Sequence, residues 1–188
     1  MSNKTRIILV TTLAAASASA VAFAATDSGT RDPSPPTVEQ VDQRLAEHFQ
    51  VFRNPELATA LPEPGAKRFG SNAQLARKAL TTARGNDVFV VPANDTVCVI
   101  GEDVGGSCQR IADAVNEPFV TVGVCAPSIP RGTAIVSALV PDRIKRVTVE
   151  QADGTRTPID ATNNVAIATI DNRKAAPTAV SWTNTNGK

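Results

Sequence analysis

The sequence predicts a mainly β fold with an N-terminal helical segment, its strands forming an antiparallel β-sandwich or a partly open barrel. Three observations predict it. From residue 79 onward, short runs rich in Val, Ile and Thr recur at close spacing. Between them stand Ala93-Asn94-Asp95, Pro141-Asp142, Asp153-Gly154 and Asn163-Asn164, residue types that suit tight turns. Upstream the periodicity is helical instead, with Val38, Val41, Leu45, Phe49 and Phe52 on one stripe.

The elements follow in order. Met1 to Ala24 reads as a secretory signal peptide: Lys4 and Arg6 are its charged start, Ile7 to Ala20 its apolar run, and Ala22-Phe23-Ala24 the small-x-small cleavage pattern. Its apolar part is short and rich in Ala and Ser, which argues against a stable transmembrane anchor after cleavage. No Cys follows the cut, so an N-terminal lipid anchor is not indicated. Residues 25–36 are polar, end in a Pro pair and read as a flexible leader. Residues 37–78 read as a helical segment packed on the body. Its main helix, about 37–52, opens with Thr37 three before Gln40, a capping box. Residues 53–70, with Pro55, Pro62, Pro64, Gly65 and Gly70, read as a surface loop. Ser71 or Asn72 then caps a short helix to about Arg77.

Residues 79–184 read as the β-rich body. Ala79–Ala83, Val88–Pro92 and Thr96–Ile100 predict a three-stranded meander, and 101–117 a Gly-containing loop with a helical turn at Ile111–Val115. Strands are expected at 118–125, 133–140, 146–151, 155–161, 165–170 and 178–183. Pro158 cannot donate to a ladder and belongs on an edge or at a bulge.

Composition narrows the function. With Lys+Arg 19 against Asp+Glu 18 the chain is near neutral, so it carries no electrostatic footprint for nucleic acid. Six Phe, one Trp and no Tyr leave few aromatic anchors for carbohydrate or peptide. Three Cys in an exported chain imply one bridge and one remaining thiol, or an intermolecular bond. Gly105 and Gly106 let the chain fold back between Cys98 and Cys108 and favour that pair. Cys98–Cys125 and Cys108–Cys125 stay open on these grounds. An unpaired Cys125 reads as a small buried hydrophobe.

The segments "EHFQVFR", "VFVVPANDTVCVIGEDVGGSC" and "VSALVPDRIKRVTVEQADGTR" together resemble secreted proteins of actinobacteria, over about residues 46–170. The resemblance implies export, a β-rich fold and pairing of Cys98 with Cys108. It carries no activity, substrate or cofactor. The chain departs from that pattern with Ser137-Ala138 where a Gly is common and Asp142-Arg143 where Asp-Gly is usual.

Chemistry-bearing constellations are sparse. The single His, His48, sits at the edge of the helical stripe and reads as a boundary packing residue. Ser107 in Gly-Gly-Ser-Cys lacks the second Gly of a hydrolase elbow, since Gln109 stands there. Asp95, Glu102 and Asp103 read as solvated loop charges rather than cation ligands. No cofactor, metal or nucleotide motif is present in the sequence. The function expected is a secreted, non-catalytic interaction or structural module whose partner is an extracytoplasmic protein or envelope component. Its binding surfaces are expected at strand edges and in the 101–108 and 126–132 loops. The alternative is a cysteine-dependent, sortase-like transpeptidase or hydrolase. There Cys125 attacks a carbonyl, His48 handles the proton and Arg131 stabilises the oxyanion.

Overall fold

The structure, a computed structural model, describes residues 43–63, 65–123 and 131–184. The segments expected as signal peptide and leader, the expected Thr37–Gln40 capping box and Cys125 lie outside the described residues.

Among the described residues ten antiparallel strands form three sheets, a mainly β fold. Sheet I is a sequential meander of β1 (Arg77–Thr81), β2 (Asp87–Ala93), β3 (Thr96–Gly101) and β4 (Gly105–Arg110). Sheet II has the order β5 (Phe119–Gly123), β6 (Thr133–Leu139), β9 (Val165–Asp171). Sheet III has the order β10 (Pro177–Asn184), β7 (Ile144–Gln151), β8 (Arg156–Asp160). Pro158 lies on β8, at an edge, as its missing N–H requires.

Packing explains the sequence patterns. Sheet I is covered on both faces, which is why β2 reads as the unbroken run Val88–Val91 rather than as an alternation. Val88 and Val90 face a core shared with Leu45, Phe49, Leu139 and Val165, so this face meets the helical segment and sheet II. Phe89 and Val91 face the other way, against Leu61, Ala73 and Ala76. Sheets II and III close on a separate apolar layer that includes Val136, Ala138, Val147, Val149, Ala166 and Val180. Those two sheets thus form a small sandwich, with sheet I as a further layer.

The turns obey local rules. Asn163 and Asn164 hold φ of 45° and 68°, the double left-handed geometry of a two-residue hairpin, and Thr162 and Val165 exchange backbone hydrogen bonds across it. Gly154 takes φ 82° in the β7–β8 turn, where Asp153 accepts a hydrogen bond from the Thr155 amide.

Several expectations need correction. The helix does not continue unbroken to residue 52. Residues 43–46 are helical, Phe49 is extended (φ −131°, ψ 113°), and a separate turn, α1, spans Gln50–Arg53. Tertiary hydrogen bonds cause the break: Asp142 and Asn164 capture the amides of Gln50 and Val51. Residues 53–70 are not simply loop, for they hold a 3-10 turn at Pro55–Leu57 and α2 at Gly65–Phe69. The expected helix to Arg77 is a 3-10 segment, Gly70–Leu75, and Arg77 already belongs to β1. Gly105–Arg110 is a strand rather than a loop, followed by the expected helical turn, α3, at Ile111–Ala114.

Candidate functional site

Among the described residues, the outer edge of sheet I and a cleft between sheets I and II combine exposure or concavity with polar groups.

The edge is β4. Cys98 and Cys108 are directly opposite on β3 and β4 and form a disulfide, with Cα atoms 4.0 Å apart. That short separation marks a pair without mutual backbone hydrogen bonds. By alternation Ser107 and Gln109 bond to β3, while Gly106, Cys108 and Arg110 turn their N–H and C=O groups outward. Among the described residues no strand pairs with β4 on that side. Cys98 is fully buried, whereas Gly105, Gly106, Cys108 and Arg110 are exposed. The bridge therefore ties an exposed edge strand to a core position of the same sheet.

Above this edge lies Arg68, from α2. A side chain added at Gly106 would stand 3.5 Å from Arg68 Nη1 and 3.3 Å from Ile100 Cγ2. The guanidinium thus lies against the strand at Gly106, at ordinary contact distance from a Cβ built there, while Ile100 is the tighter neighbour. Arg68 is exposed, its Cζ lies 5.9 Å from the Phe69 ring, and among the described residues no carboxylate pairs with it. Arg110, farther along the same face of β4, pairs with Asp113 at 3.1 Å.

The cleft has a volume of about 500 Å³ and runs between Leu80–Arg84, Asp103 and residues 167–169 of β9. Asp103, expected as a solvated loop charge, is only 2% exposed. It accepts hydrogen bonds from Thr82 Oγ1 at 2.6 Å and Asn86 Nδ2 at 3.1 Å, and Arg84 Nη1 lies 3.5 Å away. Such a carboxylate is consumed in joining the β1–β2 and β3–β4 turns. Glu102 and Asp95 are exposed, as expected.

A third polar cluster is structural. Asn164, buried at the β6–β9 end of sheet II, accepts the Val51 amide at 2.8 Å and donates to Val140 O and Asp142 Oδ1, each at 2.9 Å. Asp142 also accepts from Gln50 N at 2.7 Å and from Arg53 Nη2 at 2.6 Å. The aromatic-apolar-basic "FQVFR" segment and the "VPD" turn meet here.

The described residues of the alternative, thiol-based reading lie apart. His48 is half-buried, and its carbonyl accepts the Asp142 amide at 2.9 Å, beyond the end of β6. Arg131 is exposed and precedes the start of β6. The seven residues of β6 lie between them, roughly 20 Å of extended chain. Cys125 lies outside the described residues. Among those described, no three His, Cys, Asp or Glu side chains gather as metal ligands, and no helix is long and apolar enough to cross a membrane.

Comparison with known protein families, with curated proteins and with solved structures finds no match to this chain. Sequence reasoning missed Arg68, because α2 lies in a segment read as loop. The Gly105-Gly106 pair was the available signal: a β strand tolerates adjacent glycines where something else approaches the backbone.

Proposed function

We propose that the protein is an exported, non-catalytic interaction module that engages its partner through the outer edge of β4. One observation carries the reading: a solvent-facing edge strand is locked in register by a cystine whose other half is buried. Edge strands present rows of backbone donors and acceptors to other chains, and proteins ordinarily blunt them with Pro, Lys or a covering element. β4 instead exposes two glycines and the bridge. A fixed register lowers the ordering cost of adding a further strand. The reading of Met1–Ala24 as a signal peptide, and the resemblance to secreted actinobacterial proteins, support placement outside the cytoplasm, where such a bridge persists.

The test places a photo-reactive amino acid at Arg110 in the full-length chain, in cells that export it, with Arg156 on the distant sheet III as control position. The expected result is a discrete cross-linked species from position 110 and none from 156. Intact mass of the same secreted protein is expected to begin at Ala25 and to contain one internal bridge. Equal or absent cross-linking at the two positions contradicts the interaction reading, and a retained Met1–Ala24 segment contradicts export.

A further inference from the structure

We infer that the partner segment taken up at β4 is an extended peptide bearing a carboxylate side chain that seats against Arg68. The inference rests on the strand-edge reading above and names the chemistry of what binds there.

Three features converge on it. Gly106, Cys108 and Arg110 send their backbone groups outward, which is the hydrogen-bonding pattern that an added antiparallel strand completes. The Arg68 guanidinium lies against the strand at Gly106, within reach of the neighbouring position of an added strand. That guanidinium is exposed, and among the described residues it has no acidic partner, whereas Arg53, Arg146 and Arg173 each hold a carboxylate at 2.6–3.0 Å. A planar guanidinium offers paired donors that match a carboxylate, the anionic group an unmodified peptide side chain carries. Strand addition supplies affinity without regard to sequence, so a charge at the rim is what selects among extended segments.

A lysine-rich or purely apolar segment fits less well. The first meets Arg68 and Arg110 as like charges. The second finds Cys108 as the one apolar side chain on this face of β4, beside Gly106 and Arg110. A second copy of the same chain would bring β4 against β4 and set both Arg68 side chains on one seam with no added carboxylate.

The probe is a displayed library of linear twelve-residue peptides, selected on the disulfide-intact full chain at low salt. Enriched peptides are expected to carry Asp or Glu at a fixed position in an extended, β-prone stretch. Binding should slow amide exchange at Gly106, Cys108 and Arg110. Arg68→Gln should weaken binding about ten-fold and abolish the acidic preference, while Lys67→Gln, one residue away on the same helix, should leave both unchanged. Enrichment of neutral or basic peptides that still protect β4 overturns the carboxylate assignment and leaves the edge reading intact. No enrichment, or protection elsewhere in the molecule, overturns both the assignment and strand addition at β4. Dimerisation with β4 protected in the absence of peptide also overturns it, in favour of self-association.

Discussion

Arg53 and Asp142 lie 89 positions apart in the chain and meet at 2.6 Å, Nη2 against Oδ2. The same carboxylate takes the Gln50 amide on its other oxygen and so caps the turn that carries Arg53. One side chain thereby fixes both ends of α1 against the β6–β7 turn. Arg53 Nη1 also donates to Ala46 O, which holds the end of the upstream helix to the same point.

Removal of Asp142 is the first prediction. Asp142→Ala should cost about 2–4 kcal/mol, because it leaves a buried amide side chain, a helix-turn amide and a guanidinium short of their acceptor. Arg53→Ala should cost less. With the two side chains 46% and 27% exposed, their coupling in a double-mutant cycle should be about 0.5–1 kcal/mol. Urea denaturation of the four proteins measures it. A coupling near zero would mean that the pair contributes only through the Gln50 cap.

Asn164 separates conformation from hydrogen bonding. Asn164→Gly keeps φ 68° accessible and loses the bonds to Val51 and Val140, at about 1–3 kcal/mol. Asn164→Ala should cost about 1 kcal/mol more, the added strain of a left-handed L-residue. Thermal unfolding of the two variants checks the order. Equal losses would show that the backbone at 164 relaxes out of the left-handed region.

The bridge spans a separation of ten residues. Its removal as Cys98→Ala/Cys108→Ala should cost about 2–3 kcal/mol on the loop-entropy account. Amide exchange should accelerate at Gly105–Arg110 and stay unchanged along β6. Unchanged protection of β4 would show that its register is held by the ladder alone.

Acid dependence should appear on the surface of sheets II and III. The hydrogen bond from Arg173 draws the Asp171 carboxyl down to about 2. Asp160 is lowered by its hydrogen bond with Arg146, whose guanidinium is raised in turn. A carboxylate lowered on folding supports the folded state above its unfolded value and loses that support as the pH falls through the folded one. For Asp171 the window runs from about pH 4 down to about 2. Carbon-detected NMR titration should place Asp171 at the bottom of the carboxylate range, and Arg173→Gln should raise it part of the way toward the usual value, because the backbone amide of residue 173 still donates to it. An unmoved midpoint in that variant would assign the shift to another group.

Asp103 distinguishes an acceptor from a charge. Asp103→Ala should cost about 3 kcal/mol, the loss expected when a buried charge-assisted cluster is left without its acceptor. Asp103→Asn, which keeps one carbonyl oxygen, should cost less. Unfolding curves for both, with amide exchange at Thr82–Asn86, decide whether the cluster holds the two turns together.

What could be read in advance follows from what is local. The strands β5 to β10, the Asn163-Asn164 and Asp153-Gly154 turns and the edge placement of Pro158 rest on alternation and backbone preference, which neighbouring residues set. The favoured Cys98–Cys108 pair was legible for the same reason, since both residues belong to one hairpin. The break at Phe49 was not legible, because residues 92 and 113 positions away capture the next two amides. Burial of Asp103 was hidden likewise: its partners Thr82, Arg84 and Asn86 sit on a different turn. β4 escaped notice because Gly-Gly-Ser has almost no strand preference, and only pairing with β3 makes it one. The candidate edge was named by its residues, as the 101–108 region, while its shape and the cation above it were not.

The strand orders carry a consequence for how the molecule assembles. The ladders of sheet I close between consecutive segments and call on no strand beyond Arg110. Sheets II and III each seat an early strand at the centre, β6 and β7, and wait for β9 and β10 to flank it. The last twenty or so described residues therefore complete two sheets at once. A nascent or threading chain can zip its first meander early, yet both later sheets stay half-built until β9 and β10 have emerged. Until then the apolar flanks of β6 and β7 are the surfaces most open to wrong partners.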